Sequence, residues 1–287
     1  HHPKPSLGSL PQVYEQLHIL QDHFILSYAL FTENKIISSA VFETKDGITY
    51  CLSGIPYPFL NVVFGAPKKE HFEECIQKQT EYFNEVKMPF VWYLDEGAHP
   101  EFEKKLLDHG FQDGGIFRGV IGPLDKPIPH VDIPSNCLLE LVTTESSMDD
   151  FGELVCDTFA LQGLSRDLYK KALWDATKRE SRTMVHWLAR KDGKAVSAVS
   201  TLIDGDVVSF WNGASLPDER WQGLNTALRY LALEDAIEKG CHFGTSYLMS
   251  EGMALGICSK LGYQTKWRFR VFLAPSIEGE LEKKENL

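Results

Sequence analysis

Hydrophobic positions along the chain follow two periods that alternate in blocks. Residues 10–21 place Leu10, Val13, Leu17 and Leu20 at helical spacing, which predicts an amphipathic helix. Residues 24–32 and 36–43 are rich in Ile, Phe, Tyr and Val and predict strands. Lys45-Asp46-Gly47 predicts a turn into a further strand over 48–52. Residues 53–64 hold two prolines and a glycine among apolar residues, so they start as a loop and resume as a strand. An amphipathic helix over 70–86, a buried strand over 89–94 and a helix over 100–109 closed by Gly110 complete a mixed α/β half.

Pro123, Pro127, Pro129 and Pro134 then fall between Gly122 and Ser135, the composition of a domain boundary. After them the pattern starts again. A strand is predicted over 138–143, a helix over 146–159 with Ser146 or Ser147 as N-cap, and a second helix over 165–177. Residues 184–190, 195–203 and 207–211 read as three antiparallel strands joined by Asp192-Gly193 and Asp204-Gly205 turns. An apolar helix ending near Gly240, a strand over 243–249, a short helix over 253–261 ended by Gly262 and a last strand over 267–273 follow, before a charged tail from 277.

The two halves share an ending. Leu106-Leu107-Asp108-His109-Gly110-Phe111-Gln112 answers Cys258-Ser259-Lys260-Leu261-Gly262-Tyr263-Gln264, each before a strand with an Arg between apolar residues. That is the mark of an internal repeat, although any helix-to-strand corner can use a glycine and an aromatic staple in this way.

Composition narrows the class. An apolar fraction of 43% with 24% charged residues suits a soluble globular chain of two domains, with no run of the ~20 apolar residues that a membrane span needs. No signal-peptide pattern opens the sequence, and His1 and His2 have the look of a tag remnant. Six dispersed cysteines, without C-x-x-C or zinc spacing, fit reduced thiols in the cytoplasm, and the scattered histidines predict no metal. A net charge of −11 argues against nucleic acid and anionic membranes as partners and favours a cationic substrate.

The most informative stretch is 216–227, Leu-Pro-Asp-Glu-Arg-Trp-Gln-Gly-Leu-Asn-Thr-Ala, running into the apolar helix. A Pro/Asp turn, a basic residue, a glycine and a helix start present backbone N–H groups and the positive end of the helix dipole to an anion. Pyrophosphate fits such a cradle. Arg220 is its charge partner, Gln222, Gly223, Leu224, Asn225 and Thr226 supply N–H groups, and Gly223 permits close backbone approach.

With the strand before it, this stretch resembles motif A of the GNAT acyltransferase family, R/Q-x-x-G-x-G/A, and 253–263 resembles its motif B, A-x-x-L-Y-x-K-L-G-F. The resemblance covers roughly residues 138 to 275. It implies an α/β (α+β) fold of two GNAT-like repeats, each a mixed, mostly antiparallel sheet flanked by helices. Residues 3–122 would be a degenerate GNAT-like domain, 123–136 a Pro-rich linker, 137–276 the acetyltransferase domain and 277–287 a tail. It also implies acetyl-CoA as cosubstrate, and a strand before the cradle that splays from the one after it so that pantetheine can pair at Ala214 and Ser215.

Two positions depart from the family pattern. Asn225 stands where the last Gly/Ala is expected, and its side chain could reach a phosphate oxygen. Cys258 stands at the place of the Tyr that protonates the leaving thiolate, so Cys258, as donor or as nucleophile, and Tyr247 or Ser246 on the preceding strand are the catalytic candidates. A small buried packing residue is an equal reading of Cys258. For the base, Asp204, Asp206, Asn212, Glu153 and Asp157 are weak candidates, the first two having turn duty. Trp187, Trp211 and Trp221 read as core or cleft walls.

The expected function is acyl-CoA dependent N-acyl transfer to a primary amine by direct attack in a ternary complex. The acceptor is a small-molecule or peptide amine, its site partly closed by residues 53–61, and a homodimer is the candidate assembly. A silent acyl-CoA sensor and a Fem-type aminoacyl transferase are the alternatives, the second disfavoured by the acidic balance.

Overall fold

The computed structural model describes residues 13–33, 40–220, 223–249 and 253–275. The first half supplies helices α1 (Val13–Ser27) and α2 (Ala29–Glu33), strands β1 (Val41–Lys45), β2 (Ile48–Leu52) and β3 (Asn61–Phe64), helix α3 (Phe72–Glu85), strand β4 (Val91–Asp95), helix α4 (Pro100–Asp108) and strand β5 (Gln112–Pro123). The second half supplies β6 (Cys137–Leu141), α5 (Glu145–Thr158), α6 (Gly163–Ala176), β7 (Thr183–Lys191), β8 (Lys194–Asp204), β9 (Val207–Ser215), α7 (Leu224–Glu238), β10 (Phe243–Leu248), α8 (Met253–Lys260) and β11 (Gln264–Leu273).

The halves follow one plan. Strands β1, β2 and β3 form an antiparallel meander, after which α3 carries the chain to β4, parallel to β3. Strands β7, β8 and β9 repeat the meander, and α7 leads to β10, parallel to β9. The final strands are exchanged: β11 pairs with β4 of the first half and β5 with β10 of the second, while β5 and β11 pair with each other. All eleven strands described thus form one sheet, in the order β1-β2-β3-β4-β11-β5-β10-β9-β8-β7-β6.

Both helix-to-strand corners close in the same way. Phe111 N–H donates to the Leu106 carbonyl and Tyr263 N–H to the Cys258 carbonyl, each at 3.0 Å, around Gly110 (φ 88°) and Gly262 (φ 85°). The pattern is that of a Schellman cap, in which a left-handed residue frees the chain to turn into the strand.

Two expectations are corrected. Residues 24–32 are helical, not a strand: α1 continues to Ser27 and α2 follows. Leu20, Phe24 and Tyr28 recur every four residues and lay one face on the centre of the sheet, where the Phe24 ring lies 4.6 Å from Tyr247, 5.1 Å from Phe269 and 5.6 Å from Tyr93. Burial of that face outweighs the strand preference of its aromatic and β-branched residues, a choice that a near-continuous apolar run cannot reveal by period. Of the strand expected over 36–43, residues 36–39 lie outside the described residues, and β1 starts at Val41. The N-cap of α5 is Thr144, not Ser146 or Ser147. The Ser147 N–H donates to Thr144 Oγ1 (3.1 Å) and the Thr144 N–H to Ser147 Oγ (3.2 Å), a reciprocal capping box that starts before either expected cap.

The second corner depends on a glycine pair. Gly122 of β5 and Gly244 of β10 are register partners, and the Tyr263 ring lies over both. A Cβ on Gly244 would stand 1.7 Å from the Tyr263 hydroxyl oxygen, and among the described residues that buried hydroxyl has no hydrogen-bond partner. Tyr263→Phe is therefore expected to raise stability by about 1 kcal/mol, since a buried unsatisfied hydroxyl costs about 1–3 kcal/mol. Gly244→Ala should lower stability by about 1–3 kcal/mol through overpacking, and less in the Tyr263→Phe background. Urea unfolding of the two single variants and the double variant measures all three.

Two histidines lie inside. His186 donates through Nε2 to the Leu173 carbonyl (2.8 Å) and accepts at Nδ1 from Ser200 Oγ (2.7 Å), and His23 Nε2 lies 2.6 Å from Ser209 Oγ. Burial pushes both down to about 4. The native protein therefore binds fewer protons than the unfolded chain between pH ~6.5 and about 4, and stability complete above ~6.5 declines as the pH falls through that window. Each histidine contributes a slope of ~1.4 kcal/mol per pH unit. Urea midpoints taken from about pH 7 to pH 5 should show this loss, and His186→Gln should make it shallower.

Candidate functional site

Strand β9 pairs with β10 only from Val207 to Ser209, opposite Phe243 to Thr245. Beyond that point β10 continues against β5. The cause is a bulge: between the partners Ala198↔Ala214 and Ser200↔Trp211, β9 holds one residue more than β8, and Asn212 adopts φ 57°. A bulge adds twist and bends its strand, and Asn tolerates the left-handed region better than most side chains. Residues 210–215 are left without a strand partner on the side of β10.

Where β9 ends, a cleft of about 320 Å³ opens at the N-terminus of α7. Ser215, Arg220, Gly223, Leu224, Asn225 and Thr226, all expected from sequence, line it together with Glu219 and with Gly256, Ile257 and Lys260 of α8. Gly223 is the N-cap at φ 76° and offers no side-chain cap, so first-turn N–H groups face the cleft with the positive end of the dipole. Glu219 is held by Lys191 Nζ at 3.1 Å. Gln222 lies outside the described residues. Ala214 is buried beneath the cleft, and its carbonyl accepts from Ser197 Oγ at 3.1 Å. Sequence reasoning passed over Lys260, although the Lys-Leu-Gly of the second motif was its signal.

The expected reach of Asn225 to a phosphate is corrected. Its Nδ2 donates to Ser197 Oγ (3.0 Å) and the Ala198 carbonyl (2.9 Å), and its Oδ1 accepts from Arg229 Nε (2.8 Å). The side chain is turned into the protein as a brace between α7 and the sheet. Arg229 is itself buried, lies 4.9 Å over the Phe210 ring, and abuts Gly213 so closely that a Cβ there would be 2.4 Å from Nη2.

The phase of β10 separates the catalytic candidates. Ser246 faces the side of α8, where Cys258 is fully buried beside Val120 and Tyr263 and burial pushes its thiol up to about 11. Tyr247 faces the opposite side, and its hydroxyl donates to the Leu20 carbonyl at 2.7 Å, a bond anchoring α1.

On that opposite side lies a larger cleft of about 460 Å³. Phe24, Tyr28, Tyr93, Phe117, Trp211 and Tyr247 form its floor, and Tyr57, Phe59 and Leu60 of the proline-containing loop form one wall. Asn61 holds that loop: its Oδ1 accepts from Ser53 N–H (3.0 Å) and its Nδ2 donates to the Ile55 carbonyl (2.8 Å). Asn212 is the amide in this cleft. Tyr169 donates to its Oδ1 (2.6 Å), and its Nδ2 donates to Ser200 Oγ (2.9 Å), which connects it to His186. Glu153 and Asp157 do not line the cleft but pair with Arg166, and Glu153 also pairs with Lys170. Asp206 accepts the N–H groups of His242 and Phe243 through its carbonyl, a turn role.

Comparison with known proteins agrees with this geometry. Residues 137–247 match the family model described as an acetyltransferase (GNAT) domain. No curated protein matches the sequence. A GCN5-related N-acetyltransferase from Kribbella flavida superposes with a TM-score of 0.64 at 14% identity, covering 90% of this chain and 98% of that one. Another, from Sphaerobacter thermophilus, gives 0.63 at 11% identity over 93% and 95% of the two chains. A tandem GNAT protein from the clavulanic acid biosynthesis pathway gives 0.57 at 11% identity over 93% and 98%. The chain thus has the fold of these proteins, and residues 137–247 of its second half are similar to the GNAT acetyltransferase domain.

Proposed function

We propose that the protein is an acyl-CoA dependent N-acyltransferase that moves acetyl from acetyl-CoA to a primary amine by direct attack in a ternary complex. The observation that carries this reading is that two clefts open along the same gapped strand, β9. Asn212, at the bulge, lines the larger cleft, and Ser215, three residues on, lines the cleft at the α7 N-terminus.

In this reading the first-turn N–H groups of α7, Arg220 and Lys260 take the pyrophosphate. The unpartnered edge of β9 at 210–215 pairs with pantetheine, and the thioester arrives beside the bulge. The amine enters from the larger cleft. Residues 3–122 are a degenerate GNAT-like repeat that closes this cleft, while residues 137–276 hold the cosubstrate. Support comes from the shared strand plan and the matching corners, and from Gly65-Ala66-Pro67-Lys68, which replaces the motif between β3 and α3. Six free cysteines are in keeping with a reducing, cytoplasmic setting. Among the described residues no helix is long and apolar enough to cross a membrane.

Calorimetry with acetyl-CoA, followed by detection of free CoA thiol across an amine library, tests the proposal. Tight binding without turnover on any amine would favour a sensor, and no binding would remove both readings. Arg220→Ala and Lys260→Ala are each expected to weaken acetyl-CoA by about 5- to 10-fold, and by less in high salt, because exposed charges are screened. Cys258→Ala should keep turnover within about threefold and lower stability by about 1 kcal/mol, as expected of a small buried group. A loss of turnover beyond 100-fold in a folded, CoA-binding Cys258→Ala protein would return Cys258 to the mechanism.

A further inference from the structure

The larger cleft is walled by carbon. Rings from both halves of the chain meet in it: Trp211 and Tyr247, on the two strands that part, stack at 5.7 Å with an interplanar angle of 24°, and Phe24 lies 4.6 Å from Tyr247. Four of its five phenols donate to fixed acceptors of the protein. Tyr28 donates to the Phe59 carbonyl, Tyr57 to that of Phe159, Tyr247 to that of Leu20 and Tyr169 to Asn212. The lining among the described residues holds no Asp, Glu, Lys, Arg or His.

On the transferase reading above, we infer that the acceptor is a hydrophobic aromatic amine whose nitrogen is already uncharged at neutral pH. Two independent properties of the cleft point the same way. An alkylammonium, protonated near pH 10 like a lysine, would be desolvated among these rings with no counter-charge in the described lining, a large penalty. It would also have to lose a proton before attack. Neither buried histidine lines the cleft: His186 is reached through Ser200 and has both ring nitrogens engaged, and His23 holds Ser209 Oγ, which Trp211 Nε1 also reaches, so neither lies open to take that proton. An amino group on an aromatic ring avoids both costs, since its lone pair is delocalised and it titrates well below neutral pH.

The volume of about 460 Å³ lies in the range of small-molecule sites and accommodates a fused-ring body. Aromatic walls favour offset and edge-on packing with such a body. Asn212 Oδ1 accepts from Tyr169 with one lone pair and has a second for an incoming N–H. That contact aims the nitrogen at the bulge, where the thioester comes from the other side. In the transfer the C–N bond forms and the C–S bond breaks, and the proton released from nitrogen ends on the CoA sulfur. The products are the anilide and free CoA, so no external oxidant or reductant enters.

The test compares 2-aminonaphthalene with 2-(aminomethyl)naphthalene, which has the same rings but an ammonium at neutral pH, and with lysine and spermidine. At about pH 7 the expected kcat/KM for 2-aminonaphthalene exceeds that for the aminomethyl compound by about 10-fold or more and that for lysine by on the order of 100-fold. The gap to the aminomethyl compound should narrow as the pH rises and that amine loses its proton. Leu60→Glu, which places a carboxylate on the half-buried wall, should shift the preference toward the charged amine while acetyl-CoA still binds.

Faster turnover of the aminomethyl compound or of lysine at pH 7 would overturn the inference. So would a 10-fold preference for octanoyl-CoA over acetyl-CoA with 2-aminonaphthalene as its competitor, since the cleft would then house an acyl tail. If no amine is turned over, quenching of tryptophan fluorescence separates the two ideas. Saturable quenching by 2-aminonaphthalene, lost in Leu60→Glu, upholds the ligand class and removes the transferase reading. Acetyl-CoA binding without such quenching overturns the ligand class and leaves the CoA site standing.

Discussion

Backbone polar groups in a sheet interior must find partners, and in this protein one strand is denied them. From Phe210 to Ser215, β9 has β8 on one side and nothing from β10 on the other. The bulge at Asn212 enforces that divergence, and α1, α6 and α7 are arranged around it. A continuous ladder here would seal the sheet. Along the gapped strand lie a polar cleft at the α7 N-terminus, lined by Ser215, and an aromatic cleft lined by Trp211 and Asn212.

Asn225, Arg229 and Gly213 act as one unit at the start of α7. A Gly or Ala at position 225 would leave the helix start bare, whereas Asn225 ties it to Ser197 and Ala198 on β8 and, through Arg229, to the bulge. Gly213 is required in turn, because any larger residue would collide with the guanidinium. A buried arginine is costly unless its surroundings are fixed, and the amide of Asn225 and the face of Phe210 provide that environment. Small-residue economy at the helix start has been replaced by a polar brace beneath it.

Much of this was legible in the chain. Asp-Gly turns predict the meander, and Arg220 together with Gly223 to Thr226 do converge on one cleft. From the stretch 53–61, Tyr57, Phe59 and Leu60 line the larger cleft. The misses share one physical cause, dependence on partners far away in sequence. Phe24 helps form a helix because Tyr93, Tyr247 and Phe269 wait for its face, and no local window contains them. The inward turn of Asn225 depends on β8, and which of the alternating Ser246 and Tyr247 faces α8 depends on how β10 sits against β5. Thr144 shows a different limit. Thr143, Thr144, Ser146 and Ser147 all stand near one helix start, propensity favours the serines, and the reciprocal bond with Ser147 selects Thr144 instead.

The exchanged strands have a consequence for how the protein is made. As the chain leaves the ribosome, β4 can pair with β3 but must wait for β11, which comes more than 150 residues later. Through that interval the first half carries an open, apolar edge along Val91 to Leu94 and a long strand, β5, with neither neighbour yet in place. Open edges are templates for pairing with other chains. Closure therefore waits for β11, and the edges of β4 and β5 are paired with it only when it arrives.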